Sequence, residues 1–181
     1  MRKKWLALAL SLTMVAGCLT GCGGSDSTTS NTNSGSSSND SAKVETLADG
    51  GGKVLNIYVW NDEFSSRFEK YYPDYDKSTK SIGDVKVNFI QNANEGNNYQ
   101  DKLDAALKAQ DSASADDKVD MFLCEMDYVN KYTNTDKALD VKALGLTDED
   151  MSQMYDYTKQ AATGVDGVLR GVSWQGCPGG F

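Results

Sequence analysis

The sequence predicts an α/β fold built on a parallel sheet, and three observations carry that prediction. Short β-rich apolar runs recur at 54–60 (VLNIYVW), 85–90 (VKVNFI) and 119–125 (VDMFLCE). The segments between them repeat apolar residues at helical spacing. Strand, helix, strand, helix, strand in that order is the pattern of βαβ units, whose crossovers are right-handed.

The elements follow in chain order. VLNIYVW reads as a buried strand. Asn61 is placed to cap the next helix, which carries Phe64, Phe68, Tyr71 and Tyr72 at i, i+4, i+7 and i+8 and ends at Pro73. In VKVNFI the residues Val85, Val87 and Phe89 alternate inward, as a strand requires. Tyr99, Leu103, Ala106 and Leu107 form the second helical stripe. VDMFLCE is the third strand, and a short helix is expected over 127–132. Thr147 is placed to cap a helix bearing Met151, Met154, Tyr155 and Ala162. GVLRGVSW (167–174) reads as a fourth strand or as a bent hairpin.

The amino end has a different character. Arg2, Lys3 and Lys4 precede an apolar run over 5–15 and then small residues, which is the build of a secretory signal peptide. The run is too short for a membrane span, which takes roughly 20 residues. VAGC ends at Cys18 and LTGC at Cys22, and either cysteine could carry a lipid. Cys22 is preferred because a flexible stretch follows it directly. Two acyl chains on one cysteine suffice for stable anchoring, since each buried CH₂ contributes about 0.8 kcal/mol. The expected organisation is a leader over 1–22, a Ser/Thr/Asn/Gly tether over 23–52 and a folded part over 53–181. The tether has too little to bury to offset its ordering entropy.

Charge and composition exclude several functions. The chain holds 18 basic and 26 acidic residues. Removing the leader takes away Arg2, Lys3 and Lys4, so 15 face 26 and the net charge becomes −11. That balance argues against nucleic acid as a partner. There is no histidine, so neither a Ser-His-Asp triad nor a Cys/His zinc site is expected. No cofactor, metal or catalytic residue is expected. Cys124 lies in an apolar run and reads as a buried thiol, with pairing to Cys177 as the alternative.

In parallel α/β sheets, ligands bind beyond the carboxyl ends of the strands. The first strand ends in Trp60-Asn61, the second in Gln91-Asn92 followed by ANEGNN, and the third in Glu125 with Asp127 and Tyr128 just after it. The fourth candidate ends in Trp174-Gln175. Trp60 and Trp174 offer ring faces to the apolar C–H faces of a sugar. Asn61, Glu125, Asp127 and Gln175 offer hydrogen bonds to its hydroxyls. Each has a plainer reading beside this one. Trp60 and Trp174 can be core, Asn61 only a cap, and Glu125 and Asp127 a solvated loop. Glu125 and Asp127 could also serve as the acid and base of a glycoside hydrolase.

The segments LNIYVWNDEF, VKVNFI, NYQDKLDAAL, VDMFLCEMDYVNKY and GVLRGVSWQGCPGGF, behind a lipobox and tether, are similar to an extracellular solute-binding lipoprotein. More narrowly, the chain resembles the sugar-binding lipoproteins of carbohydrate ABC transporters in Gram-positive bacteria. The resemblance implies a periplasmic-binding-protein-like fold of two three-layer lobes that close over a carbohydrate. It implies ABC permease subunits as partners and an anchor in the outer leaflet of the cytoplasmic membrane, at the cell surface. Two lobes need on the order of 300 residues, so the chain is expected to be an amino-terminal fragment with only part of the first lobe. The alternatives are a surface carbohydrate sensor or adhesin and a secreted glycoside hydrolase.

Overall fold

The computed structural model describes residues 50–176. The expected leader with Cys18 and Cys22, nearly all of the tether, and Cys177 lie outside the described residues. Strand β1 (Val54–Val59) is the middle of a five-stranded sheet ordered β2-β3-β4-β1-β5. It pairs in parallel with β4 (Val85–Gln91), Val54 opposite Lys86 through Val59 opposite Gln91. On its other side it pairs in parallel with β5 (Met121–Phe122), Ile57 opposite Met121 and Tyr58 opposite Phe122.

Side chains of β1 alternate between two cores, as the strand period of two demands. Leu55, Ile57 and Val59 pack with Val87, Leu123 and the α1 residues Phe64 and Phe68. Helix α1 runs over Glu63–Tyr71. Tyr58 packs on the opposite face with Phe122 and with Tyr99, Leu103 and Leu107 of α2 (Asn98–Ala109). The sheet thus has α1 against one face and α2 against the other, which is compatible with a three-layer α/β fold. Tyr99, Ile57, Leu103 and Val59 are the largest fully buried side chains, and burying an aliphatic one stabilises by roughly 1.5–3 kcal/mol. Among the described residues no helix is long and apolar enough to cross a membrane.

The sheet is mixed, which corrects the expectation of a parallel one. Past Pro73, β2 (Tyr75–Asp76) and β3 (Ser81–Ile82) form an antiparallel hairpin, and β3 pairs antiparallel with β4. Asp76 makes the turn. Its Oδ1 accepts from the Ser78 N–H at 2.7 Å, the Ser78 hydroxyl at 2.6 Å and the Thr79 N–H at 3.3 Å. Lys80 then takes a left-handed φ of 54°, and the chain doubles back.

The third strand is shorter than 119–125, although the Asp120 and Leu123 N–H groups still donate to the Asn56 and Tyr58 carbonyls of β1, both at 3.1 Å; side chains hold the backbone just beyond it. Gln110 accepts from the Val119 N–H and donates to the Val119 carbonyl, both at 2.9 Å. The Tyr99 hydroxyl donates to the Leu123 carbonyl at 2.7 Å and accepts from the Leu123 N–H at 3.1 Å. It also lies 3.2 Å from the Tyr58 carbonyl. A buried side chain from α2 therefore stitches β1 to β5 where the two strands end.

Asn56 does the same at the opposite end of β1. It is 3% exposed, and its Nδ2 donates to the carbonyls of Asp116 and Lys118, each at 2.8 Å. Its Oδ1 accepts from Asn88 Nδ2 at 2.8 Å, and its backbone N–H reaches Asp120 Oδ2 at 2.8 Å. The side chain is fully satisfied in an otherwise apolar layer.

The last third departs most from expectation. Short helices α3 (Asn130–Thr133) and α4 (Asp156–Ala161) are joined mainly by turns. Thr147 does cap a turn: its hydroxyl donates to Asp150 Oδ2 at 2.6 Å, and the Asp150 N–H returns to it at 3.2 Å. The turn does not grow into a long helix. The Ser152 hydroxyl bonds the Glu149 carbonyl, and Tyr155 is extended at φ −64° and ψ 136°. Residues 167–174 make no fourth sheet strand. They belong to a bent hairpin in which Thr163 faces Leu169. Arg170 clamps Asp166 through two bonds of 2.7 and 2.6 Å, and this holds the Asp166 carboxyl well below the usual carboxylate range.

Gly164 is the tight point of that hairpin. A Cβ there would sit 2.6 Å from the Thr133 carbonyl oxygen and 2.6 Å from Arg170 Nη1. Gly164→Ala is expected to cost about 2 kcal/mol, because backbone must move to admit the methyl. A urea midpoint unchanged from wild type would show that the Thr133 approach is loose.

Candidate functional site at the strand carboxyl ends

The chain leaves β1, passes α1 on one face to reach β4, then crosses back over the other face through α2 to β5. The loops after β1 and β4 therefore leave the carboxyl edge toward opposite faces, and the loops after β4 and β5 flank the end of β1.

Trp60 directly follows β1. It is half-buried, touches both cores and stands edge-on to the Tyr99 ring at 5.4 Å. Its indole N–H takes no hydrogen bond among the described residues. Asn61 is exposed, and its Oδ1 accepts the Glu63 N–H at 3.0 Å. That bond closes a turn just before α1; the cap position itself is Asp62, whose side chain makes no capping bond, so Asn61 lies one residue outside the expected cap. Glu125 and Asp127 follow β5 and are both exposed. Glu125 Oε2 accepts from Asn94 Nδ2 at 3.0 Å, and its carbonyl accepts the Tyr128 N–H at 3.2 Å. Asp127 makes no hydrogen bond among the described residues.

Four of the six predicted residues thus belong to the carboxyl ends of β1 and β5. Trp174 and Gln175 arrive differently, because the segment that carries them is not a sheet strand. Trp174 is half-buried edge-on to Phe64 at 5.4 Å, with the Arg67 guanidinium 5.8 Å from its ring centre. It lines an open depression of about 440 Å³ with Phe64, Arg67, Phe68, Tyr71, Tyr72 and Pro73 along α1. Phe64 lies in the first turn of α1, so this depression begins close to the end of β1. The Gln175 side chain is exposed and makes no hydrogen bond among the described residues; its carbonyl accepts from the Ser173 hydroxyl.

Asn94 was not among the predicted site residues. It sits in the loop after β4, and its bond to Glu125 joins the two loops that flank β1. The Asn92 N–H donates to the Val59 carbonyl at 2.9 Å and extends the β1–β4 ladder into that loop. Asn98 Nδ2 holds the Ala93 carbonyl at 3.2 Å. Gly96 and Asn97 have left-handed φ values of 54° and 65° and turn the chain into α2. The only sequence signal was a run of asparagines around one glycine.

Behind this edge lie three phenols and a thiol, buried or half-buried. Burial raises the phenols of Tyr99, Tyr128 and Tyr132 and pushes the Cys124 thiol up to about 12. Cys124 is a free thiol. The Tyr128 hydroxyl is buried without a hydrogen-bond partner among the described residues. Among the described residues, no group of three side chains is arranged to hold a metal. The edge therefore offers an aromatic ring, amides and exposed carboxylates, which can bind a polar solute by stacking and hydrogen bonding. Comparison with family models, with curated proteins and with solved structures finds no match to this chain.

Proposed function

We propose that this chain is the lipid-anchored, substrate-binding component of an ABC importer, which captures a sugar or oligosaccharide outside the cell and delivers it to a permease. In this reading the fold is a periplasmic-binding-protein-like lobe that supplies one wall of an interlobe cleft. No chemistry is performed. Closure follows because ligand contacts favour the closed state over the open one.

One observation carries the reading. Trp60, Asn61, Glu125 and Asp127 share the carboxyl edge of the sheet, and the Asn94–Glu125 bond joins the loops on both sides of β1. Aromatic surface beside converging amides and carboxylates suits a pyranose, which has apolar faces and hydroxylated edges. The acidic surface and the signal-like amino end fit an extracellular protein that neither grips nucleic acid nor clings to anionic lipid.

Tryptophan fluorescence during titration of the whole chain with neutral malto-, xylo- and galacto-oligosaccharides tests this. Saturable binding is expected. Trp60→Ala should weaken it by about 1 kcal/mol, roughly fivefold. Absence of any saturable response up to millimolar sugar would reject the sugar-binding reading.

A further inference from the structure

We infer that the carboxyl edge selects a neutral sugar through one pair of adjacent hydroxyls, held jointly by Asn94 and Glu125, and turns acidic sugars away. This rests on the sugar-binding reading above and adds the specificity to it. Asn94 Nδ2 spends one hydrogen on Glu125 Oε2, at 3.0 Å. Asn94 Oδ1 and Glu125 Oε1 take no hydrogen bond among the described residues, and the amide keeps a second hydrogen. The bond holds these groups side by side although they come from loops 31 residues apart in sequence.

The pair therefore presents two acceptors and one donor. A vicinal diol matches that set, giving two hydroxyl hydrogens and accepting one amide hydrogen through oxygen. A uronic acid or phosphosugar brings acceptors and a like charge to Glu125, with the exposed carboxylates of Glu95 and Asp127 in the same two loops. An ammonium could satisfy the acceptors but has no lone pair for the Asn94 hydrogen. Asn94 thus disfavours an ammonium, and Glu125 supplies both an acceptor and the charge that turns acidic sugars away.

The test is titration of the whole chain, wild type and variants, with neutral xylo- and malto-oligosaccharides, an oligogalacturonate and spermidine. Both side chains are exposed, so Asn94→Ala and Glu125→Gln should melt with the wild type. Each should weaken the neutral sugar about fivefold or more, and the double variant should be little worse than the weaker single one, because the two act as a unit. Glu125→Gln should also narrow the preference for neutral over acidic sugar at least tenfold, whereas Asn94→Ala, which keeps the charge, should not. A purely structural role would leave that ratio unmoved in both. Oligogalacturonate or spermidine binding as tightly as the best neutral sugar would overturn the inference. So would neutral-sugar binding that neither variant weakens, which leaves the sugar reading standing. If no neutral sugar binds, both fall together.

Discussion

Replacing Tyr99 by alanine is expected to lower the stability of the protein by about 4 kcal/mol, within the range for deleting a buried aromatic side chain. Tyr99 is fully buried, and its hydroxyl bonds Leu123 and Tyr58 where β5 and β1 end. Tyr99→Phe separates the two contributions. It keeps the ring and strips the hydroxyl, so about 1 kcal/mol should be lost, more if the carbonyls find no water. Urea unfolding followed by circular dichroism gives both numbers. A loss below about 1 kcal/mol for the alanine variant would mean that the end of β5 is held by something other than this wedge. Because Trp60 rests edge-on against Tyr99, the alanine variant should also loosen Trp60 and shift its emission toward the red.

Asn56→Leu should rank second, at about 3 kcal/mol. The leucine fills a similar volume but strands the Asp116 and Lys118 carbonyls and the Asn88 amide, each of which bonds the Asn56 side chain now. A stranded buried polar group costs roughly 1–3 kcal/mol. Asn88→Ala removes an exposed side chain that is only one of the partners of Asn56, and should cost no more than about 1 kcal/mol. If chemical denaturation ranks the two the other way round, the network is organised around Asn88.

Strands β1 and β4 and helices α1 and α2 were legible in the sequence because each has enough residues for its period to show. The apolar run of β1, the Tyr99/Leu103/Leu107 stripe of α2 and the Pro73 stop after α1 are local signals that tertiary packing reinforces. The β2–β3 hairpin was not legible, since strands of two residues have no period and the turn depends on one carboxylate, Asp76. The short span of β5 was equally hidden. Gln110 and Tyr99 cap it with side chains from elsewhere in the fold, and no property of VDMFLCE announces them. At the candidate site, the rule that ligands meet strand carboxyl ends pointed to Trp60, Asn61, Glu125 and Asp127, and the structure has these as neighbours of β1 and β5. For Trp174 and Gln175 the expectation was a fourth strand or a bent hairpin, and the hairpin is what forms. Their segment is turned into a hairpin by the close approach at Gly164 and by the Arg170–Asp166 clamp, so it is not a strand of the sheet. The loop that follows β4 was expected at the same edge, but Asn94 was not singled out in it, because a loop-to-loop contact leaves no pattern in either loop.

The β2–β3 hairpin also bears on how this protein avoids sticking to itself. A sheet with so apolar a central strand would be a template for aggregation if it exposed a long, flat margin. One margin instead ends in strands of two residues, with the exposed Lys77 and Lys80 in the turn between them. The other margin is β5, again two residues, with Val119 and Leu123 on either side already bonded to Gln110 and Tyr99. A neighbouring chain seeking to add a strand would find few open amides in register at either side, and ammonium groups guarding one of them. Brevity at both margins is what allows β1 to be as hydrophobic as it is.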